Sequence, residues 1–231
     1  MSAIRRIVTR LGGVFPTTIG LAAIVATWVL FGIARMEQPG YEPMRDTLSS
    51  LASHGASFAW IGMAGISMAG IATVIASFPL RRLSQPAALA MGVAGFALLV
   101  VAFTRIACPD GAAGCSMGAA TDPTTSTAHL AAIMVFEVTF VSAIGSAAIC
   151  LWRSGARLAS VGAIVGMVLS ILFVALAPME IGMKQRLWLL VNSLLLVGCQ
   201  LLPFHRVGRD AKAALLIRSE SPQSRPMRAE T

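Results

Sequence analysis

The sequence predicts an all-α polytopic membrane protein, a bundle of six transmembrane helices with both termini in the cytoplasm. Hydrophobic residues make up 56% of the chain and charged residues only 12%, whereas soluble domains have about 25% charged residues. The apolar residues are grouped in six runs of about 20, the length that crosses the hydrocarbon core of a bilayer. Most Lys and Arg residues fall in short loops and tails, as the positive-inside rule requires.

The six predicted spans lie between residues 15 and 204 and are separated by polar loops. In chain order they are Phe15–Ala34, Ala59–Phe78, Pro86–Ile106, Thr127–Leu151, Ala159–Ala177 and Leu187–Phe204. Residues 1–14 then form a short cytoplasmic N-terminus, and residues 205–231 form a basic, partly disordered cytoplasmic tail. The first apolar run is longer than the core of a signal peptide, which has about 7–15 residues, so we expect an uncleaved helix.

The positive charges predict the orientation of the spans. Of the 18 Lys and Arg residues, thirteen fall in the two tails and in the loops after the second and fourth spans. The five on the other side are Arg35, Arg45, Arg105, Lys184 and Arg186. This excess predicts a multi-pass protein of the cytoplasmic (cell) membrane, with both termini inside.

The net charge of +8 does not indicate a nucleic-acid-binding protein. Such proteins have a basic stripe, often with interleaved aromatic residues, and this chain has none. The lipid bilayer is therefore the expected partner, while protein partners are left open. The sequence indicates neither a metal site nor a cofactor.

Polar residues at the predicted outer face form the candidate site. Asp46 and Ser49 stand three residues apart in the first loop, so they share one face if that loop is helical. The candidate ligand-binding residues of this face are Arg45, Asp46, Ser49, Asp110, His129 and Arg186. They predict an outward-facing polar pocket that binds or moves a lipid headgroup or a small polar ligand.

Two other functions use the same residues. An intramembrane hydrolase would have Ser49 as nucleophile, His129 as base, and Asp46 or Asp110 orienting the imidazole. A metal hydrolase would use Asp46, Asp110 and His129 as ligands. The sequence contains neither a nucleophile elbow nor a His-x-x-x-His pair. A purely structural interpretation also stands, in which Asp46 caps a short helix over 47–51 and Arg45 pairs with an acid of the loop.

Glu137 differs from these residues because it lies inside the fourth span. It is about ten residues into that span, roughly 15 Å deep. Burying a carboxyl group there costs a few kcal/mol unless the group is paired or protonated, so we expect it to face the bundle, at the depth of Asn192. Glu137 is then a proton site or a ligand contact, or else a protonated carboxyl that is hydrogen-bonded between helices. A further possibility is that the whole chain is a structural subunit of a membrane complex.

The four cysteines fall into two groups. Cys108 and Cys115 flank a short stretch of the third loop, which is predicted to lie outside, where the environment is oxidising. We therefore expect a disulfide between them. Cys150 and Cys199 lie at or within apolar runs and are expected to be small packing residues.

The order of the polar segments resembles the bacterial membrane family called domain of unknown function 998. That family has an aromatic residue, a proline and an Arg-Asp-x-(Ile/Leu)-Ser-x-Leu stretch after its first helix. It also has a Pro-Asp turn after the third helix, a His opening the fourth and a Gln-Arg pair before the last. The corresponding residues are Tyr41, Pro43, Arg45–Leu51, Pro109, Asp110, His129, Gln185 and Arg186. The resemblance covers about Phe15 to Phe204, and it implies no particular activity.

Overall fold

The computed structural model describes the backbone of residues 2–106, 123–175 and 179–220, and the side chains of residues 16–106, 127–175 and 179–202. These ranges contain six α-helices and one short 3-10 helix, and no strand. The α-helices are α1 (Ser2–Glu37), α2 (Ala59–Leu80), α3 (Gln85–Phe103), α4 (Pro123–Arg153), α5 (Arg157–Ala175) and α6 (Ile181–Glu220), and the 3-10 helix is Ser49–Ala52. Each α-helix contains a segment long and apolar enough to cross a membrane, so the predicted all-α, six-span fold is confirmed.

The helices are apolar on their outer as well as their inner faces. On α3, for example, Met91 is fully buried while Phe96 is 66% exposed. On α5, Leu158 is 92% exposed, and only 11% of that span is buried inside the protein. A helix that is hydrophobic all round belongs in lipid, because in water its outer face would be costly to expose.

Small residues set the distances between neighbouring helices. α2 packs against α1 and α3, α3 packs against α4, α5 lies against α4 and α6, and α6 returns to α2 and α1. A Cβ atom on Gly95 of α3 would lie 2.6 Å from the backbone N of Val74 and 2.8 Å from the carbonyl O of Gly70. Glycine there allows the backbones of α2 and α3 to touch, which gives close packing between helices in lipid.

The loop between α1 and α2, here called loop one (residues 38–58), folds back into the bundle. Its 3-10 helix is buried, with Leu51 only 1% exposed. A Cβ atom on Gly62 of α2 would lie 2.5 Å from the carbonyl carbon of Leu51, so backbone packs directly on backbone there. Arg105, just after α3, donates from Nε to the carbonyl of Ala52 (2.8 Å) and from Nη2 to that of Ser53 (2.6 Å). Loop one is therefore part of the packed structure.

The start of α6 differs from the predicted span in a way that changes the site. That helix begins at Ile181, six residues before the predicted Leu187. The stretch Lys184–Arg186, expected in a loop, therefore lies on the helix. The prediction was wrong because hydropathy excludes charged residues from a span, whereas here the first turn of the helix finds partners in loop one. The N–H groups of Gly182 and Met183 donate to the carbonyls of Arg45 (3.2 Å) and Met44 (2.9 Å).

The boundaries of α3 and α4 differ from the predicted spans by a few residues. α3 ends at Phe103, before the predicted Ile106, while α4 extends beyond the predicted span at both ends. The described part of α5 runs from Arg157 to Ala175. α1 begins at Ser2 and α6 continues to Glu220, so both helices extend past the predicted membrane domain.

One end of the bundle gathers loop one, the ends of α1, α3 and α5, and the starts of α2, α4 and α6. We call it the loop-one end. That this end faces outward, with both chain termini in the cytoplasm, stays a prediction from the charge distribution. Cys108 and Cys115 lie outside the described residues, so their disulfide also stays a prediction. Cys150 is half-buried and Cys199 is buried, and both are free thiols.

Candidate functional site

A cavity of about 360 Å³ lies between the helices near the loop-one end. All six helices and loop one contribute to its wall, and most of the lining side chains are apolar. Three of the residues singled out from the sequence line it, namely Ser49, His129 and Glu137. The structure therefore brings a loop-one hydroxyl, an imidazole and a carboxyl group of α4 to one cavity.

One face of α6 supplies a long part of the wall. Its lining residues are spaced three or four apart, which is the spacing of one helix face. They are Ile181, Lys184, Gln185, Trp188, Leu189, Asn192, Ser193 and Leu196. The polar members lie towards the loop-one end and at mid-depth, where they interrupt an otherwise apolar surface.

The cavity reaches the lipid-facing surface of the bundle beside α4. Leu130 and Met134 of α4 line the cavity, and each is 63% exposed. Val174 near the end of α5 and Ile181 at the start of α6 also line it and are 56% and 46% exposed. All four residues belong to helix segments long and apolar enough to cross a membrane. The cavity therefore reaches the side of the bundle at α4, α5 and α6; we call this part of its wall the lateral opening.

Ser49 is held by α6 at the polar end of the cavity. Its Oγ accepts a hydrogen bond from Nε2 of Gln185 at 3.3 Å. The Oε1 of the same amide accepts from the backbone N–H of Leu48. One glutamine thus fixes both the 3-10 helix and the Ser49 hydroxyl relative to α6.

His129 opens onto the same cavity and is only 3% exposed. Its Nδ1 lies in hydrogen-bond contact with the carbonyl of Thr104, just after α3. A carbonyl can only accept, so Nδ1 donates, and in the neutral ring Nε2 carries the lone pair. Within the described part of the chain no hydrogen bond joins His129 to Ser49. The imidazole is oriented by a backbone carbonyl.

Glu137 lines the cavity at the depth of Trp188 on α6. The Trp188 indole and the Glu137 carboxyl are close enough to interact, although the indole N–H does not meet hydrogen-bond geometry. Phe136 packs edge-on against the same indole, with ring centroids 5.5 Å apart. Deeper still, Asn192 accepts from Ser170 of α5 at 2.9 Å, while its buried Nδ2 has no hydrogen-bond partner among the described residues. The middle of the cavity thus has polar groups whose hydrogen-bonding capacity is only partly used.

Asp46 lies outside the cavity wall. It is 1% exposed, and its Oδ2 accepts from the backbone N–H of Glu42 at 2.7 Å. Its Oδ1 makes no hydrogen bond but lies 3.5 Å from Nε of Arg45, an ion-pair distance. Arg45, which is more than half exposed, also lies 3.6 Å from the Glu42 carboxylate. The carboxyl group of Asp46 therefore stabilises the turn 42–46, and the short helix after it has no side-chain cap from Asp46.

Arg186 joins α6 to loop one. Its Nη1 donates to the carbonyls of Asp46 (3.0 Å) and Gly182 (2.8 Å), and its Nη2 contacts the Tyr41 hydroxyl. The guanidinium also lies over the Tyr41 ring, 5.4 Å from its centroid. That hydroxyl is within hydrogen-bond distance of two loop-one carbonyls as well. Both terminal nitrogens of Arg186 thus bond to the protein itself.

The remaining candidates do not form a metal site in the part of the chain described. Asp110 lies outside it. Among the described residues, no group of three His, Cys, Asp or Glu side chains is placed to hold a metal ion.

Lys184, Gln185 and Trp188 line the cavity and were not predicted to do so. The first two were expected in a loop, where no face can be assigned to them. The signal was present in their spacing, because positions 184, 185, 188 and 192 fall on one face as soon as a helix begins at Ile181. Gly182, next to that start, lets α6 approach loop one so closely, because a Cβ atom there would lie 2.5 Å from the carbonyl O of Asp46.

The fold and the cavity define a multi-pass helical membrane protein whose activity is unknown. Residues 21–202 match the family model described as "Protein of unknown function (DUF998)". The chain belongs to that family, so the resemblance inferred from its polar motifs is confirmed. No curated protein and no solved structure matches the chain significantly.

Proposed function

We propose that this protein binds a membrane lipid in the cavity, with the lipid's polar group at the loop-one end and part of an acyl chain along the apolar wall. The observation that supports this best is the lateral opening beside Leu130 and Met134. A ligand that is dissolved in the bilayer can enter through it without passing through water. A small water-soluble ligand would meet a mostly apolar wall.

The size of the cavity supports partial burial of the lipid. Pockets for small molecules span about 300–1,000 Å³, and this one has about 360 Å³. It can accommodate one polar group and a section of chain, while the rest of the lipid stays among its neighbours. Because an acyl chain moves here from one apolar medium to another, it gains little hydrophobic free energy. Affinity must therefore come from shape and from the polar end.

Filling the cavity tests the proposal. Ile133 on α4 lines the cavity, whereas Val135 on the same helix is 46% exposed and does not line it. We expect Ile133→Trp to lower the amount of lipid that co-purifies in a maltoside detergent by about tenfold, equivalent to about 1.4 kcal/mol. Val135→Trp should retain the lipid of the unmodified protein. Native mass spectrometry counts the bound lipids, and thermal unfolding confirms that both variants are folded.

Two results would overturn the lipid site. One is that the unmodified protein binds no lipid when lipid is added back after mild delipidation. The other is an Ile133→Trp variant that holds as much lipid as Val135→Trp.

A hydrolase is a second candidate, favoured by one observation. Ser49 and His129 line the same cavity, and the ring of His129 is oriented with Nε2 as its acceptor. A lipid ester bound there would be cleaved by the unmodified protein and not by Ser49→Ala, at lipid concentrations that saturate both proteins. Recovery of every bound lipid intact from the unmodified protein, over hours of incubation, would eliminate this candidate.

A further inference from the structure

We infer that the cavity selects an anionic lipid, whose negatively charged headgroup contacts the ammonium group of Lys184. This inference rests on the proposed lipid site and identifies the class of lipid. It follows from the charges at the loop-one end, from the interactions that already occupy them, and from the position of Lys184 on the cavity wall.

Lys184 is a half-buried cation that lines the cavity one turn into α6. Within the described part of the chain, the ion pairs all belong to Arg45, and none involves Lys184. Glu180 precedes it by one turn and accepts the Lys184 backbone N–H through its carbonyl at 3.1 Å, but its exposed side chain forms no ion pair with the lysine. Lys184 therefore lines a mostly apolar wall, and its ammonium group has no acidic partner among these residues.

The other cations described at this end are either engaged with the protein or remote from the cavity. Arg186 donates to carbonyls and to Tyr41, and Arg105 donates to the carbonyls of Ala52 and Ser53. Arg45 pairs with two acids of loop one. Arg35, at the end of α1, is exposed and does not line the cavity. Lys184 is thus the described cation of this end that a ligand in the cavity would meet.

The carboxyl group of Glu137, inside the cavity, also favours a position for the anionic headgroup away from it, at the loop-one end. Glu137 lies level with Trp188, four residues and about 6 Å along α6 from Lys184. An anionic group next to Glu137 would be repelled whenever that carboxyl is ionised, while one next to Lys184 would be attracted. The charge arrangement therefore places the headgroup at the loop-one end and the chain beside Glu137.

Ser49 supplies a second donor at the same end. Its oxygen accepts from Gln185, so its own hydrogen is left to donate, and no acceptor for it is found among the described residues. A phosphate oxygen can accept from both a lysine ammonium and a serine hydroxyl. A phospholipid with a net negative charge fits this pair of donors, because its phosphate charge is not balanced by a cation of its own.

The test compares two lipids with identical acyl chains, phosphatidylglycerol and phosphatidylcholine, in an uncharged maltoside detergent. Each competes with phosphatidylglycerol that carries a fluorophore on its chain. We expect the unmodified protein to prefer phosphatidylglycerol by about tenfold. This is the effect of one charge-assisted hydrogen bond, reduced because Lys184 is partly exposed to solvent. Lys184→Gln should lower its affinity for phosphatidylglycerol about tenfold and leave that for phosphatidylcholine unchanged.

Two matched variants serve as controls. Lys184→Arg keeps the charge and should keep the preference. Arg35→Gln removes the same charge from the same end of the bundle but away from the cavity, and it should also keep the preference. Inorganic phosphate and glycerol phosphate, added at the lipid concentration, should not displace the labelled lipid. Thermal unfolding of each variant confirms that it is folded.

The outcomes separate this inference from the lipid site itself. Equal affinity of the unmodified protein for both lipids overturns the anionic selection and leaves a lipid site. An equal loss of preference in Arg35→Gln and Lys184→Gln overturns the contact with Lys184, because the charge of the whole end would then attract the lipid. Displacement by glycerol phosphate or phosphate would make the ligand a soluble phosphate compound and overturn both proposals. Failure of both lipids to bind overturns both as well.

Discussion

Gly182, at the start of α6, should not tolerate a single methyl group. A Cβ atom built on it would lie 2.5 Å from the carbonyl O of Asp46, 2.7 Å from that of Pro43 and 2.8 Å from that of Met44. These are all backbone atoms, so no side-chain rotation can relieve the contact. Gly182→Ala must therefore push the first turn of α6 away from loop one.

The cost can be worked out from the contacts that would move. Overpacking of a tight site costs about 1–3 kcal/mol. The displaced turn also loses the hydrogen bonds from Gly182 and Met183 to loop one, each contributing about 0.5–1.5 kcal/mol. Alanine has a helix propensity better by about 1 kcal/mol, which offsets part of this loss. We expect a net decrease of about 3 kcal/mol in the free energy of unfolding.

Gly198→Ala on the same helix is the control for this prediction. Gly198 is exposed, and no described atom outside its own helix backbone lies within 4 Å of a Cβ atom built on it. The Gly198→Ala substitution should therefore be neutral or slightly stabilising. Titration with sodium dodecyl sulfate in mixed micelles measures both free energies of unfolding. If Gly182→Ala came within about 0.5 kcal/mol of Gly198→Ala, the close approach of α6 to loop one would be refuted, since surface-like substitutions fall in that range.

Two further substitutions test other contacts by the same titration. Tyr41→Phe removes the hydroxyl that contacts Arg186 and two loop-one carbonyls. It should lower the free energy of unfolding by about 1–3 kcal/mol. An unchanged free energy of unfolding would mean that the carbonyls alone hold the guanidinium. Gly20→Ala brings a Cβ atom to 2.6 Å from Cδ of the fully buried Gln200 and should cost about 1–3 kcal/mol. In a double-mutant cycle, Gln200→Ala should reduce the cost of Gly20→Ala, and strictly additive costs would argue against this contact.

The number of spans could be predicted from the sequence because length and apolarity alone determine which segments cross a bilayer. The rotation of each helix about its axis could not. In a soluble helix the buried face is read from the period of apolar residues, but α3 has Met91 inside and Phe96 outside, and both are apolar. Which faces line the cavity therefore depends on packing between helices.

The predicted site shows the same contrast between what the sequence pattern predicts and what helix packing determines. Charge placement correctly grouped Asp46 and Arg186 at one end of the bundle, where the structure joins them through a hydrogen bond to the Asp46 carbonyl. It could not show that backbone carbonyls would occupy the guanidinium. Nor could it give Lys184 a place on the cavity wall, since that follows from the helix start at Ile181.

The docking of α6 on loop one has a consequence for biosynthesis. Since α6 is the last of the six spans to leave the ribosome, the carbonyls of Met44, Arg45 and Asp46 lack their α6 donors until it arrives. An unpaired backbone carbonyl is costly wherever water is scarce. A chain that has inserted only α1 to α5 thus displays an unfinished polar surface at the loop-one end. Arrival of α6 covers that surface and supplies its part of the cavity wall, so the site is complete only once the last span is in place.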